Sequence, residues 1–183
     1  NTNAALFTSV SMTGGQNLVL DYAPDQFGSA QLTVRATDAG SPSQFIEAIF
    51  TVTITPINDT PTTSGIANVT VNEDAVNTSI DLWTSFADVE DADTALTYSV
   101  TGNTNAALFT SVNITGGQNL VLDYAPNANG SASITIRATD TGSLFVETTF
   151  IVTVNPVSDP PFFTSTPVTL AVEDSAYTYN ITT

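Results

Sequence analysis

Lysine, histidine and cysteine are absent from this chain of 183 residues, and arginine occurs only twice, as Arg35 and Arg137. Against them stand 18 aspartates and glutamates, for a net charge of −16. Nucleic acid is excluded as a partner, because neutralising phosphates takes clustered Lys and Arg. So is most side-chain catalysis: no Ser-His-Asp or Cys-His arrangement, no Schiff-base lysine and no zinc site of His or Cys ligands can be assembled. Disulfides are excluded with the cysteines, although that alone assigns no compartment. No apolar run approaches the roughly 18 residues of a membrane span, and Asn1 does not open a signal peptide.

What is left for site chemistry is carboxylates, amides, hydroxyls and main-chain carbonyls. Hard cations such as calcium take that ligand set. The same acidity has a plainer reading, a soluble surface suited to a salty medium.

The strongest positive signal is self-similarity. NTNAALFTSVSMTGGQNLVLDYAP at 1–24 returns as NTNAALFTSVNITGGQNLVLDYAP at 103–126, differing only at Ser11/Asn113 and Met12/Ile114. RATDAG (35–40) returns as RATDTG (137–142), PINDTP (56–61) as PVSDPP (156–161) and NEDA (72–75) as VEDS (172–175). The chain therefore divides into the back part of one repeat (1–60), one whole repeat (61–160) and the opening of a third (161–183). A window of this kind is expected to come from a longer array, and residues 161–183 cannot bury a core by themselves.

Within the whole repeat, period-two alternation bounded by Gly, Asn, Pro and Asp marks strands. SASITIRATD is the clearest case, with Ala132, Ile134, Ile136 and Ala138 facing one way and Ser133, Thr135, Arg137 and Thr139 the other. Strands are expected at 66–72, 76–86, 95–101, 107–114, 119–125, 131–138 and 145–155. Seven short strands in about 100 residues is an all-β pattern, that of an immunoglobulin-like sandwich. TGGQ at 115–118 reads as a hairpin turn with glycine supplying positive φ.

If neighbouring strands run antiparallel, strand parity sorts the loops between two poles. Asp88, Glu90, Asp91, Asp93 and Asp140 fall at the top; Glu73, Asp74, Asp123 and Asp159 fall at the bottom. Stacking units end to end gathers Asp21, Asn58 and Asp59 of the first with the top acids of the second. Two like charges about 5 Å apart repel by roughly 3 kcal/mol at an effective dielectric near 20, so an empty junction is expected to splay. Divalent cations, each taking six to eight oxygens, reverse that sign.

In their order and spacing, NED (72–74), DVEDAD (88–93) followed by LTYSV, VLDYAP (19–24 and 121–126), RATD (35–38 and 137–140) and PINDTP (56–61) resemble the cadherin-like tandem repeats of large bacterial surface proteins. The resemblance covers the whole chain. It implies tandem seven-stranded Greek-key sandwiches, with Ca2+ held between successive repeats to stiffen an extracellular rod. By position it implies ligand roles for Glu73, Asp21 and Asp123, the linker pair Asn58 and Asp59, the pair Asp88 and Glu90, and Asp38 and Asp140. Ala23 and Ala125 replace a family glutamate, Pro56 and Pro156 a linker aspartate, and Ser158 the linker asparagine, so fewer or weaker ions are expected. Asp91 and Asp93 form a second Asp-x-Asp pair, and both pairings stay open.

Other readings of single residues stand beside these. Asp38 and Asp140 suit Asx turns at ATDxG. Trp83, the only tryptophan, is read as core, as are Tyr22 and Tyr124 as packing residues. Asn58, Asn68, Asn77, Asn113, Asn129 and Asn180 each begin an Asn-x-Ser/Thr triplet. The expected function is a non-enzymatic, calcium-rigidified structural or adhesive module outside the cell. Its partners are adjacent repeats, neighbouring copies in a fibre, or surface glycans or proteins. The alternative is a carbohydrate-binding sandwich, which needs exposed aromatics. A glycosidase needs paired carboxylates across a cleft, and nothing in the sequence builds one.

Overall fold

Alternation becomes strand nearly wherever the sequence carries it. The computed structural model describes residues 1–182; Thr183, the last residue of the expected third repeat, lies outside them. In chain order the strands are β1 (Phe7–Thr13), β2 (Asn17–Tyr22), β3 (Gly28–Thr37), β4 (Phe45–Ile54), β5 (Thr62–Thr63), β6 (Val69–Asn72), β7 (Thr78–Asp81), β8 (Phe86–Ala87), β9 (Thr97–Asn103), β10 (Phe109–Thr115), β11 (Asn119–Tyr124), β12 (Gly130–Thr139) and β13 (Phe145–Asn155). Single 3-10 turns occupy Ala4–Leu6, Leu82–Thr84 and Ala106–Leu108.

β6 to β13 build an all-β Greek-key sandwich. One sheet has the order β10-β11-β7 and the other β6-β13-β12-β9. Every pair in these sheets is antiparallel except β6 and β13, which run parallel with Val69 beside Val152. Parity requires this, since the first and seventh strands both run from top to bottom. Between the sheets lie Leu120 and Leu122 of β11, Ala132, Ile134, Ile136 and Ala138 of β12, and Phe150, Val152 and Val154 of β13, all buried. At the β10–β11 turn Gly116 and Gly117 take φ of 60° and 79°, the left-handed region that the hairpin needs.

The stretch 76–86, expected as one strand, is broken. Asp81 accepts a hydrogen bond from the Trp83 N–H at 3.1 Å, which caps the turn Leu82–Thr84. The chain then re-enters as β8 and pairs with β5. This turn sends Leu82 into the core and leaves Trp83 half-buried at its edge, correcting the placement of Trp83 inside.

Residues 1–60 repeat the hairpin registers of the sandwich without its cover. Phe7 faces Tyr22 as Phe109 faces Tyr124, and Gly28 faces Ile54 as Gly130 faces Val154. Tyr22 is nevertheless 53% exposed where Tyr124 is 6% exposed. Residues 156–182 form no strand and lie largely open to solvent.

Ile134 is fully buried whereas Ile46 is 73% exposed. Ile134→Ala is expected to cost about 2–5 kcal/mol in urea unfolding, and Ile46→Ala about 0.5 kcal/mol or less. The Tyr98 hydroxyl is buried without a hydrogen-bond partner. Burial, with the Asp93 and Asp81 carboxylates, pushes its pKa up to about 12. The folded value exceeds the unfolded one, so this contribution is whole below about pH 10 and is lost as pH rises toward 12. Tyr98→Phe should flatten that alkaline loss in thermal melts across the same range.

Candidate metal centre at the unit junction

The segment Thr55-Pro56-Ile57-Asn58-Asp59-Thr60-Pro61 carries the chain from β4 into the complete sandwich. Asn58 lies directly over Gly142: a Cβ placed there would come within 2.5 Å of the Asn58 amide group. Two hydrogen bonds then tie linker to sandwich. Asn58 Nδ2 donates to Asp140 Oδ2 at 2.9 Å, and the Asp59 N–H donates to Glu90 Oε2 at 3.0 Å.

Asp88 shapes the acidic loop that receives them. Its Oδ1 accepts the N–H groups of Glu90 and Asp91, at 2.9 and 3.0 Å. That turn aims Glu90 at the linker and Asp91 at Thr141, which donates both its N–H, at 2.8 Å, and its hydroxyl, at 3.1 Å. Asp140 uses its two oxygens separately. Oδ1 accepts the Leu144 N–H at 2.8 Å and closes the β12–β13 turn, while Oδ2 holds Asn58. The turn-capping and junction readings of Asp140 are therefore compatible, and its counterpart Asp38 caps the same turn through Gly40 and Gln44.

Neither arginine is available to these carboxylates. Arg35 pairs with Glu47 at 2.7 Å and Arg137 with Glu147 at 3.0 Å, each guanidinium also stacked over a phenylalanine ring. The Thr101 hydroxyl and then Arg137 hold the Glu147 carboxyl below its ordinary range. Asp59, Asp88, Glu90, Asp91 and Asp140 thus share the junction without a cationic side chain. Charge alone predicts a splayed linker, yet it stays bound, because neutral N–H groups of the linker and turns donate to the carboxylates.

The donor set suits a hard cation. Asp88 Oδ2 is buried with no hydrogen-bond partner, and leaving such an oxygen dry costs about 1–3 kcal/mol or more. Among the described residues no three carboxylates already stand close enough to form a cage. A full shell of six to eight oxygens would draw on the amide of Asn58, main-chain carbonyls and water as well.

The remaining expected ligands are spread out. Asp21 is exposed and accepts from the Ser9 hydroxyl within its own hairpin. Asp93 turns aside to a surface depression beside Trp83. At the bottom pole Glu73 is buried and accepts from the Val157 N–H, at 2.5 Å, and from Asn129 Nδ2, at 3.3 Å. Asp123 is half-buried opposite Ser111, and Asp159 is exposed. Two contributors had escaped notice. Thr141 holds Asp91, and Asp25, just after VLDYAP at the bottom pole, lines the junction cleft with Asp59 and Glu90. The Asn58 side chain, packed on Gly142 and bonded to Asp140, is a poor acceptor for a glycan.

No protein-family model matches the sequence, and no curated protein does. Solved structures do match. The fold is that of cadherin extracellular domains. A protocadherin gamma B7 structure of extracellular cadherin domains 1-4 aligns over 93% of this chain, with a TM-score of 0.55 and 21% identity. Mouse cadherin-23 EC22-24 aligns over 81%, with a TM-score of 0.55 and 19% identity. A protocadherin gamma B4 extracellular domain aligns over 84%, with a TM-score of 0.55 and 18% identity. The chain spans 45%, 50% and 26% of those three chains in turn.

Gly142→Ala tests the seat of the linker. The added methyl should leave the sandwich folded while lifting Asn58 off Asp140. The expected outcome is shifted amide resonances for Asn58 and Leu144, with relaxation showing the two units tumbling more independently.

Proposed function

We propose that this chain is a stretch of tandem repeats, 1–60, 61–160 and 161–183, in a calcium-stiffened structural or adhesive protein outside the cell. One observation carries the reading: the linker pair Asn58 and Asp59 bonds to Asp140 and Glu90 beside the Asp88 turn, at an oxygen-rich junction with no cationic side chain and one orphaned carboxylate oxygen. Asn58, Asp59, Asp88, Glu90, Asp91 and Asp140 are the proposed ligands, with Asp25 at the rim. Glu73, Asp123 and Asp159 are their proposed counterparts toward the next junction. Asp21 and Asp93 stand outside the bonded group.

Bound calcium would supply a fixed positive charge where five carboxylates now repel one another. The chain's own residues do the rest. Asp140 and Glu90 fix where the linker enters, Asp88 sets the turn that presents Glu90, and the proline-flanked linker leaves little slack. The role is mechanical and non-catalytic, in keeping with the cadherin-type fold.

Calcium at 100 times its dissociation constant should stabilise the folded chain by about 2.7 kcal/mol, read as a raised melting temperature that a chelator abolishes. Small-angle scattering should show a longer, narrower particle with calcium. Asp88→Asn and Asp140→Asn should each weaken the response. Melting and scattering insensitive to chelator would overturn the reading, and an equal response to concentrated sodium chloride would favour simple charge screening.

A further inference from the structure

Trp83 belongs to neither the core nor the junction. The capped turn that displaces it makes it the shared wall of two adjoining depressions. One, of about 410 Å³, is lined by Leu96, Tyr98 and Ile114 and floored by Gly116 and Gly117. The other, of about 460 Å³, carries Thr63, Thr84 and Asp93. The Thr63 and Thr84 hydroxyls donate to main-chain carbonyls of Ser85 and Asp81; Thr63 Oγ1 also accepts the Gly65 N–H at 3.0 Å, so Thr84 is the freer acceptor toward a ligand. The Tyr98 ring lines the first depression while its hydroxyl is buried beneath it, out of reach of a ligand.

An indole wall, an apolar floor and a rim dominated by oxygen acceptors suit a ligand with an apolar C–H face and many hydroxyl donors. We propose that the Trp83 surface binds a neutral saccharide, with one pyranose ring stacked on the indole. Sulfated and acidic glycans are disfavoured by Asp93 beside the indole and by the net charge of −16. An organic cation is the weaker candidate. A cation cage presents several ring faces, whereas the Tyr98 ring is packed against Phe86 at 5.5 Å and Asp81 is occupied in capping Trp83. The site shares no residue with the junction ligands that the proposed function retains, so the two readings fail separately.

Because Trp83 is the only tryptophan, its emission reports this surface alone. The full chain is titrated, with calcium present, with neutral hexasaccharides of glucose, galactose and N-acetylglucosamine. At least one is expected to give a saturable change in emission. Thr84→Val keeps the side-chain shape but removes the rim acceptor, and should weaken binding by about fivefold or more. Trp83→Phe, followed by calorimetry, should weaken it further. The proposal is overturned if none of the three saccharides gives a saturable change, if hexalysine alone does, or if Thr84→Val and Trp83→Phe bind as the parent does.

Discussion

With 18 carboxylates and two arginines, this chain cannot balance its acids by ion pairing, and its structure depends on where they are put instead. Both arginines are spent on the sheet faces, bonded to Glu47 and Glu147. The acids of the junction are held by N–H groups, from Asn58, Asp59, Glu90, Asp91, Thr141 and Leu144. Hydrogen bonds to charged acceptors are worth about 1.5–3 kcal/mol each, comparable with the repulsion between neighbouring carboxylates. They satisfy geometry without cancelling charge. The junction therefore has a defined shape while keeping its negative charge, and Asp88 Oδ2 is buried in it without a hydrogen-bond partner.

The near-duplicate segments make an internal control on what short-range sequence encodes. The two copies share hairpin registers, the bulge after the first phenylalanine, and a Phe–Tyr ring separation of 5.9 Å in each. These features survive in 1–60, which lacks the cover that β6, β7 and β9 give the second copy. Burial survives only in part: Leu6, Ala30 and Leu32 stay buried, whereas Leu18 and Leu20 are half-buried where Leu120 and Leu122 are sealed. The turn at 172–175 behaves like the hairpins. Asp174 takes φ of 61° against 60° for Asp74, with no strand on either side of it. Turn chemistry and strand pairing are local; the core requires the partner sheet.

The same division explains how much was legible in advance. Alternation located six of the seven expected strands to within a few residues, while 76–86 shrank to β7 and the short β5 and β8 carried no signal; the parallel β6–β13 pair, not anticipated, follows from strand parity. What stayed hidden depended on one side chain overruling a pattern. DLWTSF reads as strand by composition, yet Asp81 folding back on the Trp83 N–H breaks it and exchanges the fates of Leu82 and Trp83. Thr141 gave no signal, since the matching turn of the first copy carries Ala39 at that position. Asp25 could have been found, as an acid at the bottom pole beside the linker, had the first copy been compared with Asn127 of the second.

The acidic loop shows why spacing by itself left the ligand pairing open. DVEDAD contains two Asp-x-Asp-like pairs, and counting residues cannot choose between them. In the fold, Asp88 Oδ1 binds two successive N–H groups, and that contact rotates the next three acids apart. Glu90 goes to the linker, Asp91 to Thr141, and Asp93 to the side that holds Trp83. One turn thereby sends carboxylates to a neighbouring unit, to its own β12–β13 loop and to an unrelated surface. The first Asp-x-Glu pair faces the joint because Asp88 spends one oxygen on building the turn and keeps the other, unpartnered, beside it.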